Sequence, residues 1–589
     1  MEGFKDLVEQ TWKNDGIIND CKMVLFKKKL QNLKNLIRSW IGSKRTETFA
    51  LKKTHHALLS SIDVKLDLGT ANEDDFRIRK ESLKILGDLE RVELADVSQK
   101  VKAKWALEGD ENSCFFHNSL KKKRRQLAIR GILKDDNWIE DPSIVKSEFV
   151  GHFMARFQQS EGIIPVLDSN YISPISYGQR NLLERPFSCD EIKFAVWDCG
   201  GEKAPGPDEI SFKFFTFFWD LIENDVVNFV HEFFHTSLFP QGCNSSFIAL
   251  ILKVANTKTV SEFRPISLIG CQYKIIGKLL ANRIRVVIGD CVNPVQSAFI
   301  KGSNILDGPL ILNEVISWYR NSKKNLMVFK VDFEKAFDSI RWDYLDLLLE
   351  KLGFGCRWRS WIKGCFHSAR SSVLVNGSPT DEFELHRGLR QGDPLSPFLF
   401  ILAMEACLDV SFLFSDYVSI FIKAWLLVLV YRMMRLRINI HKSLVIGIGV
   451  SDDEVSYMAN IIGCETSKLP LKYLGVPVGC NMSRSSNWNA IIQKFYLKLS
   501  SWNARLLSVG GRLTLIRYVL NSLPIYYLSI YQAPSSVRKK LEAMRNSFFI
   551  EGFSVASVRG LVDSVMLGNG HDATPWNQYL PIKVNVFVG

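Results

Sequence analysis

None of the chain's 12 cysteines forms a CxxC pair, and none follows Cys480. Scattered thiols in a chain of 589 residues do not form a disulfide-stapled secreted domain. They read as reduced thiols of a cytosolic or nuclear protein. The absence of cysteine after Cys480 also removes the ligands a structural zinc site would need there, so no zinc is expected. Long apolar runs are missing too. The nearest, residues 412–430, is broken by Asp416 and Lys423, short of the roughly 20 residues of a membrane helix. The first residues, MEGFKDLVEQTWKNDG, are charged and have no apolar core, so they do not read as a signal peptide. No internal repeat and no long low-complexity tract occurs.

Acidic residues fail to balance basic ones. Lys and Arg number 75 against 62 Asp and Glu, a formal net charge of +13. That excess favours a polyanionic partner, nucleic acid before an acidic membrane surface, because no basic amphipathic anchor stands out. With 47% hydrophobic and 23% charged residues, the chain has material for buried cores and is not disordered throughout. Its length exceeds what one core supports.

Residues 1–130 read as helical and basic, with apolar residues at helical spacing. Their last part holds Lys121, Lys122, Lys123, Arg124 and Arg125, which read either as phosphate contacts or as a solvated helix face. A connecting region spans 131–200, with a short polar strand-like piece and a helix through Phe157. Residues 203–208, KAPGPD, read as a loop, since two prolines and a glycine prevent regular structure. An aromatic helix over 212–234, a strand at FIALILKV and a loop-to-helix segment, FRPISLIGCQYKIIGKLLANRI, follow. LMVFKVDFEKAFDSI reads as a buried strand ending at Asp332 and then a helix. SSVLVNGSPTDEFELHRG reads as a hairpin turning at Asn376-Gly377. Pro394 stands near the start of the next helix, LRINIHKSLVIGIGV reads as helix then strand, KYLGVPVG as a short strand pair, and 482–550 as helical.

A carboxylate at the end of a buried strand is costly unless it is neutralised. Asp332 is therefore a candidate ligand for a divalent cation. By pattern alone it is equally a helix N-cap.

VDFEKAFDSIRW, GLRQGDPLSPFLF, KAPGPDEI, FRPISLI with YKIIGKLLANR, QSAFIKG and KYLGVP all occur, distributed over residues 203–476. Together they resemble the reverse transcriptase of LINE-type (non-LTR) retrotransposons, particularly the plant lineage. EGDENSCFFH upstream and SVGGRLTLIRYVLNSLPIYYLS downstream are similar to that family as well. The resemblance implies an α+β fold, a right-hand polymerase of fingers, palm and thumb with a helical N-terminal region. Fingers and palm would occupy 201–480, a helical thumb-like region 481–550, and the remnant of a C-terminal tail 551–589, its zinc-binding module lost. The implied activity is RNA-directed DNA polymerisation by two-metal nucleotidyl transfer. Mg²⁺ is the implied ion, with Mn²⁺ as an alternative. The implied partners are an RNA template, a DNA primer and dNTPs, with no membrane. The implied site of action is the nucleus, after passage through the cytoplasm.

Carried over residue by residue, the resemblance makes Asp332 the first catalytic aspartate, with Val331 and Phe333 offering carbonyl groups to the metal. Phe337 falls where a bulky side chain lies beneath the incoming sugar and selects dNTP over rNTP; by spacing alone it is an ordinary core aromatic. Asp338 is a local cap or an ion-pair partner. Gln391 and Gly392 match the element that packs against nucleotide and template base. Arg264 and Lys253 match positions near the triphosphate, as a planar guanidinium suits phosphate, or else form surface ion pairs. Tyr473, Leu474 and Gly475 match the primer grip, and Lys442 a position near departing pyrophosphate.

The pattern breaks in one place. The family's Phe/Tyr-Ala-Asp-Asp tip has its counterpart in Phe414-Ser415-Asp416-Tyr417. Asp416 stands for the second metal-binding aspartate, while Tyr417 is neutral near pH 7 and bulkier than the aspartate it replaces. The distance from Asp332 is also shorter than the family's, so the palm is expected to be shortened near 409–430 and the copy impaired. Such elements encode an apurinic-type endonuclease ahead of the polymerase, and nothing here resembles it. Two other readings compete. One is a non-catalytic nucleic-acid-binding remnant. The other is an RNA-directed RNA polymerase, against which RQGDPLSP and Phe337 argue.

Overall fold

The computed structural model describes residues 3–13, 16–101, 125, 127–159, 174–253, 257–294, 296–409, 437–501, 512–513 and 515–550. The chain forms two compact units, each assembled from distant segments. The first comprises 1–43, 127–308 and 319–468; the second comprises 44–126, 309–318 and 469–589.

In the first unit, the helix Phe4–Lys13 and the start of the helix Lys22–Asp67 join the main core. Val8, Trp12, Met23, Phe26 and Leu30 pack with Phe215, Phe229 and Phe233. The Trp12 indole N–H donates to Asp225 at 2.9 Å. Glu232 accepts the N–H groups of Lys22 and Met23, satisfying donors a helix start leaves open. The aromatic stretch expected as one helix is two, Phe212–Phe217 and Trp219–Thr236. Phe218 leaves helical geometry at φ −104°, ψ 24°. The break lets Phe212 and Phe215 as well as Ile222, Val226 and Phe229 face the same core.

Strands β1 (Ile132–Lys134) and β2 (Asn137–Ile139) form a small hairpin. The helix Pro142–Phe157 follows, started by the Asp141 carboxylate accepting from the Ser143 and Ile144 N–H groups, with proline in its first turn. Val145, Phe149, Phe153 and Phe157 recur at helical spacing and are buried. They pack onto a sheet built from β3 (Ser245–Leu252), β4 (Phe263–Ile269), β7 (Arg370–Val375), β8 (Ser378–Pro379) and β9 (Phe383–Glu384). Its order is β4-β3-β7-β8, with β9 also on β7; β3 runs antiparallel to β4 and parallel to β7. The β7–β8 turn is Asn376-Gly377, both with positive φ (52° and 82°), as a two-residue hairpin requires.

FRPISLI is thus strand β4, not loop. Seven residues pair with β3, and Pro265 faces Leu250 on the edge of the sheet, where a missing N–H is tolerated. The KAPGPD loop sits against the end of this strand. A Cβ on Gly206 would lie 2.3 Å from the Ile269 carbonyl oxygen, so only glycine fits. Asp208 accepts the Cys271 N–H at the start of the helix Cys271–Cys291.

A second, three-stranded sheet carries β5 (Leu326–Lys330); after a break the chain continues as β6 (Phe333–Glu334), part of a separate two-stranded ladder. β6 pairs with β10 (Arg437–Ile438), and β5 with β11 (Leu444–Ile448), which also pairs with β12 (Glu465–Thr466). Two expectations are corrected here. β5 is half-buried along its whole length rather than buried; the deeper burial is on β11, at Val445, Ile446 and Ile448. LRINIHKS supplies strand β10 and the single 3₁₀ turn Ile440–Lys442, not a helix. The ladder that Phe333 and Glu334 offer overrides the local preference.

In the second unit, the far half of the helix Lys22–Asp67 pairs with the helix Glu73–Val101. Asp75, at the turn, accepts from Lys65 at 2.7 Å and from the Asn72 N–H. β13 (Leu471–Tyr473) and β14 (Val476–Val478) form a hairpin. The helices Asn489–Ser501, Ser522–Leu528 and Ser535–Ile550 follow, around Trp488, Phe495, Leu520, Tyr527 and Leu541. Among the described residues, no helix is long and apolar enough to cross a membrane.

Candidate active site

Asp332 stands where β5 gives way to β6. Its N–H donates to Ser443 Oγ at 3.0 Å, and its carbonyl accepts the Asn439 N–H at 2.8 Å. Ser443 is fully buried. Asp332 is therefore locked by its backbone between β5 and the 3₁₀ turn. Its half-buried carboxylate has no hydrogen-bond or ion-pair partner among the described residues. A backbone-fixed, partly desolvated carboxylate with no cationic side chain paired to it among the described residues, flanked by half-buried Val331 and Phe333, suits a hard divalent ion such as Mg²⁺. One carboxylate is an incomplete ligand set. Asp416 and Tyr417 lie outside the described residues, and no group of three metal-binding side chains occurs within them.

The β6-to-helix connection turns at Lys335, in left-handed geometry at φ 50°. This directs the short helix Ala336–Ser339 back toward the segment 388–392. The Phe337 ring stacks on Phe400, centroids 4.2 Å apart and planes 13° from parallel. Its carbonyl accepts the Leu389 N–H at 2.7 Å. Phe337 is half-buried at the rim of the main core rather than inside it.

Gln391 and Gly392 are held beside β4. The Gln391 carbonyl accepts the Ser267 N–H at 2.7 Å. Gly392 has φ 108°, and a Cβ there would meet the Ser267 carbonyl oxygen at 2.8 Å. This position requires glycine. The Gln391 side-chain amide donates to Asp338 Oδ1 at 3.3 Å.

Lys253 follows β3, its Nζ donating to the Ser261 carbonyl at 2.7 Å. Burial, then the charges of Arg156, Lys442 and Arg264, push its pKa down. The structure thus brings Lys253, Arg264 and Lys442 into one electrostatic neighbourhood. Arg264 is exposed, opposite Ile251.

The sequence reading missed three members of this neighbourhood: His152, Arg156 and Lys335. Burial first, then Lys335, Arg156 and Lys253, lower the His152 pKa to about 4. Arg156 forms an ion pair with Asp338 at 2.6 Å, with side chains only 8% and 2% exposed. A signal was available. His152 and Arg156 sit one helical turn apart, each directly before a residue of the buried stripe Phe153, Phe157, so both flank the face that docks on the sheet.

Tyr473, Leu474 and Gly475 lie in the second unit, at the β13–β14 turn. Leu474 and Gly475 both have positive φ, 48° and 89°. Three tyrosine hydroxyls hold this hairpin: Tyr526 to the Leu474 carbonyl at 2.9 Å, Tyr527 to Gly475 at 3.0 Å and Tyr531 to Pro477 at 2.7 Å. Lys121, Lys122, Lys123 and Arg124 lie outside the described residues; Arg125 is helical and exposed.

Residues 252–410 match the family model described as reverse transcriptase (RNA-dependent DNA polymerase). That segment is similar to reverse transcriptase domains. The chain is 28% identical over 299 residues to the Transposon TX1 uncharacterized 149 kDa protein of Xenopus laevis, covering 50% of this chain and 23% of that protein. It is 27% identical over 227 residues to a Pol polyprotein from the type-1 retrotransposable element R2 of Popillia japonica, covering 38% and 30%. To the R2DM polyprotein of Drosophila melanogaster it is 27% identical over 169 residues, covering 29% and 16%. The chain therefore spans under a third of the length of these relatives. The match encloses Asp332, Phe337, Gln391 and Gly392, along with Lys253 and Arg264.

Proposed function

We infer that this chain is an RNA-directed DNA polymerase by descent from a LINE-type element of the plant lineage, and that its catalytic centre is impaired. The observation that carries the reading is the position of Asp332 within the reverse transcriptase match: a carboxylate fixed by its backbone to Ser443 and Asn439, with no side-chain partner among the described residues. Divalent ions bound there would activate the primer 3′-hydroxyl and stabilise leaving pyrophosphate. The chain's own groups do the rest. Lys253, Arg264 and Lys442 attract the triphosphate, Phe337 excludes a 2′-hydroxyl, and the Gln391–Gly392 turn packs on the nucleotide. The hairpin at Tyr473-Leu474-Gly475 holds the primer end, and action is in the nucleus.

Impairment is inferred from Tyr417, which replaces a carboxylate, and from the shortened spacing to Asp416. Weakened metal binding misplaces the reacting groups. The basic excess survives such a loss, so the second reading is salt-dependent nucleic-acid binding without catalysis. Primer extension with an RNA template, a DNA primer, Mg²⁺ and dNTPs separates the two. Weak incorporation that vanishes in Asp332→Ala supports the polymerase. No incorporation, with RNA binding that falls as salt rises, supports the remnant. Robust incorporation would overturn the impairment.

A further inference from the structure

We propose that Arg156 and Asp338 form a buried positioning pair that sets nucleotide affinity by orienting the Gln391 side chain. The proposal rests on the polymerase reading and extends it to a helix outside the matched segment 252–410. Arg156 belongs to the helix Pro142–Phe157, which is anchored on the β3–β4–β7 sheet by Phe149, Phe153 and Phe157. That helix is rigid, so its arginine is delivered at a defined place.

The contacts form a relay. Arg156 Nη2 lies 2.6 Å from Asp338 Oδ2. Asp338 Oδ1 accepts from Gln391 Nε2 at 3.3 Å. Backbone bonds from Leu389 to Phe337 and from Ser267 to Gln391 fix the turn's main chain. The main chain is thus held from two sides, while the Gln391 side chain has Asp338 as its anchor. Asp338 anchors Gln391 as a hydrogen-bond acceptor. Burial raises its pKa, and the Arg156 charge is the leading influence that lowers it. If it were protonated, its hydroxyl could turn toward Gln391 as a donor and the amide would reorient.

A purely structural ion pair would saturate its arginine. Here the buried Arg156 Nε and Nη1, Asp338 Oδ2 and His152 Nε2 have no hydrogen-bond partner among the described residues, so the Arg156–Asp338 contact is an ion pair without hydrogen-bond geometry, and Lys335 and Lys253 lie within electrostatic range. Unpaired buried guanidinium donors beside other cations are expensive. Retaining such a strained arrangement fits a role in function, since a negatively charged polyphosphate nearby would relieve it.

The test measures nucleotide affinity without chemistry. The full chain is loaded with an RNA–DNA template–primer whose primer ends in a dideoxynucleotide, and the Kd of the next dNTP is measured with Mg²⁺. Arg156→Met leaves a buried carboxylate uncompensated and is expected to weaken dNTP binding about tenfold. Template–primer affinity should stay within about twofold. Arg156→Lys keeps the charge without the fork and should fall between. Arg156→Met with Asp338→Asn removes both charges yet leaves a carbonyl oxygen for Gln391, and should recover most of the loss. A wild-type chain that binds no dNTP overturns the polymerase reading and this inference together. Wild-type binding with an unchanged Kd in Arg156→Met overturns the inference alone. A parallel loss of template–primer affinity and of thermal stability, without recovery in the double variant, also overturns it by marking the pair as structural.

Discussion

Asp332 and Asp338 stand on the same strand-to-helix connection and are treated in opposite ways. Asp332 is half-buried, tied by its backbone to Ser443 and Asn439, and its carboxylate has no partner among the described residues. Asp338 is almost wholly buried, paired with Arg156 and hydrogen-bonded by Gln391. A protein that buries a carboxylate must compensate it, and Asp338 shows that this chain can do so with a side chain brought from a distant helix. The same neighbourhood leaves Asp332 open. The difference separates a carboxylate left open to an incoming group from one compensated within the protein.

The comparison is broken most directly at Asp332. Asp332→Ala should reduce any incorporation at least about a hundredfold. It should change the unfolding free energy measured in urea by no more than about 0.5 kcal/mol, as the side chain has no partner to lose. A large loss of stability would mean that its carboxylate is structural after all. Asp338→Ala should do the reverse to the fold. Leaving Arg156 buried and unpaired should cost about 3–5 kcal/mol in urea unfolding, and a cost below about 1 kcal/mol would place the pair among ordinary surface bridges.

His152 sharpens the same contrast through pH. Its folded pKa, about 4, lies below the ordinary 6.5. The unfolded chain therefore binds the proton first on acidification. The stability contributed by neutral His152 is fully present above pH 6.5 and is lost as pH falls toward 4. Allowing for partial solvent screening, about 1 kcal/mol is at stake. His152→Gln should flatten the stability curve over this window, and an unchanged slope would remove His152 from the cluster. The smallest effect belongs to the second unit, where charge is not the issue. Tyr527→Phe loses one hydroxyl bond to the Gly475 carbonyl and should cost about 1 kcal/mol in thermal unfolding. A loss several times larger would mean that the tyrosines hold the hairpin as a set rather than singly.

Much of the local structure was legible. The helix through Phe157 was expected, Asn376-Gly377 announces a hairpin, and the proline–glycine alternation of KAPGPD a loop. The LRQGDP and VDFEKAF motifs led to the reverse transcriptase match and to Asp332. Three readings failed for one shared reason. FRPISLI reads as loop because of its proline, yet the β3 edge pairs with it. LRINIHKS reads as helix, yet Phe333 and Glu334 supply a ladder. The 212–234 stretch reads as one helix, yet Phe218 breaks it so that both halves reach one core. In each case a partner distant in sequence outweighs a preference worth fractions of about 1 kcal/mol per residue.

By itself, the sequence determined the chemistry on offer: a basic chain, a strand-end aspartate, the Gln391-Gly392 turn, and a tyrosine where the resemblance leads one to expect a third metal-binding carboxylate. It also determined the short-range punctuation of caps and turns, because those interactions close within a few residues. Only the tertiary structure decided which charges meet. Arg156 reaches Asp338 because a phenylalanine stripe docks its helix on a sheet made of strands from far along the chain. Ion pairing acts over a few ångströms in space and carries no signature of separation along the sequence.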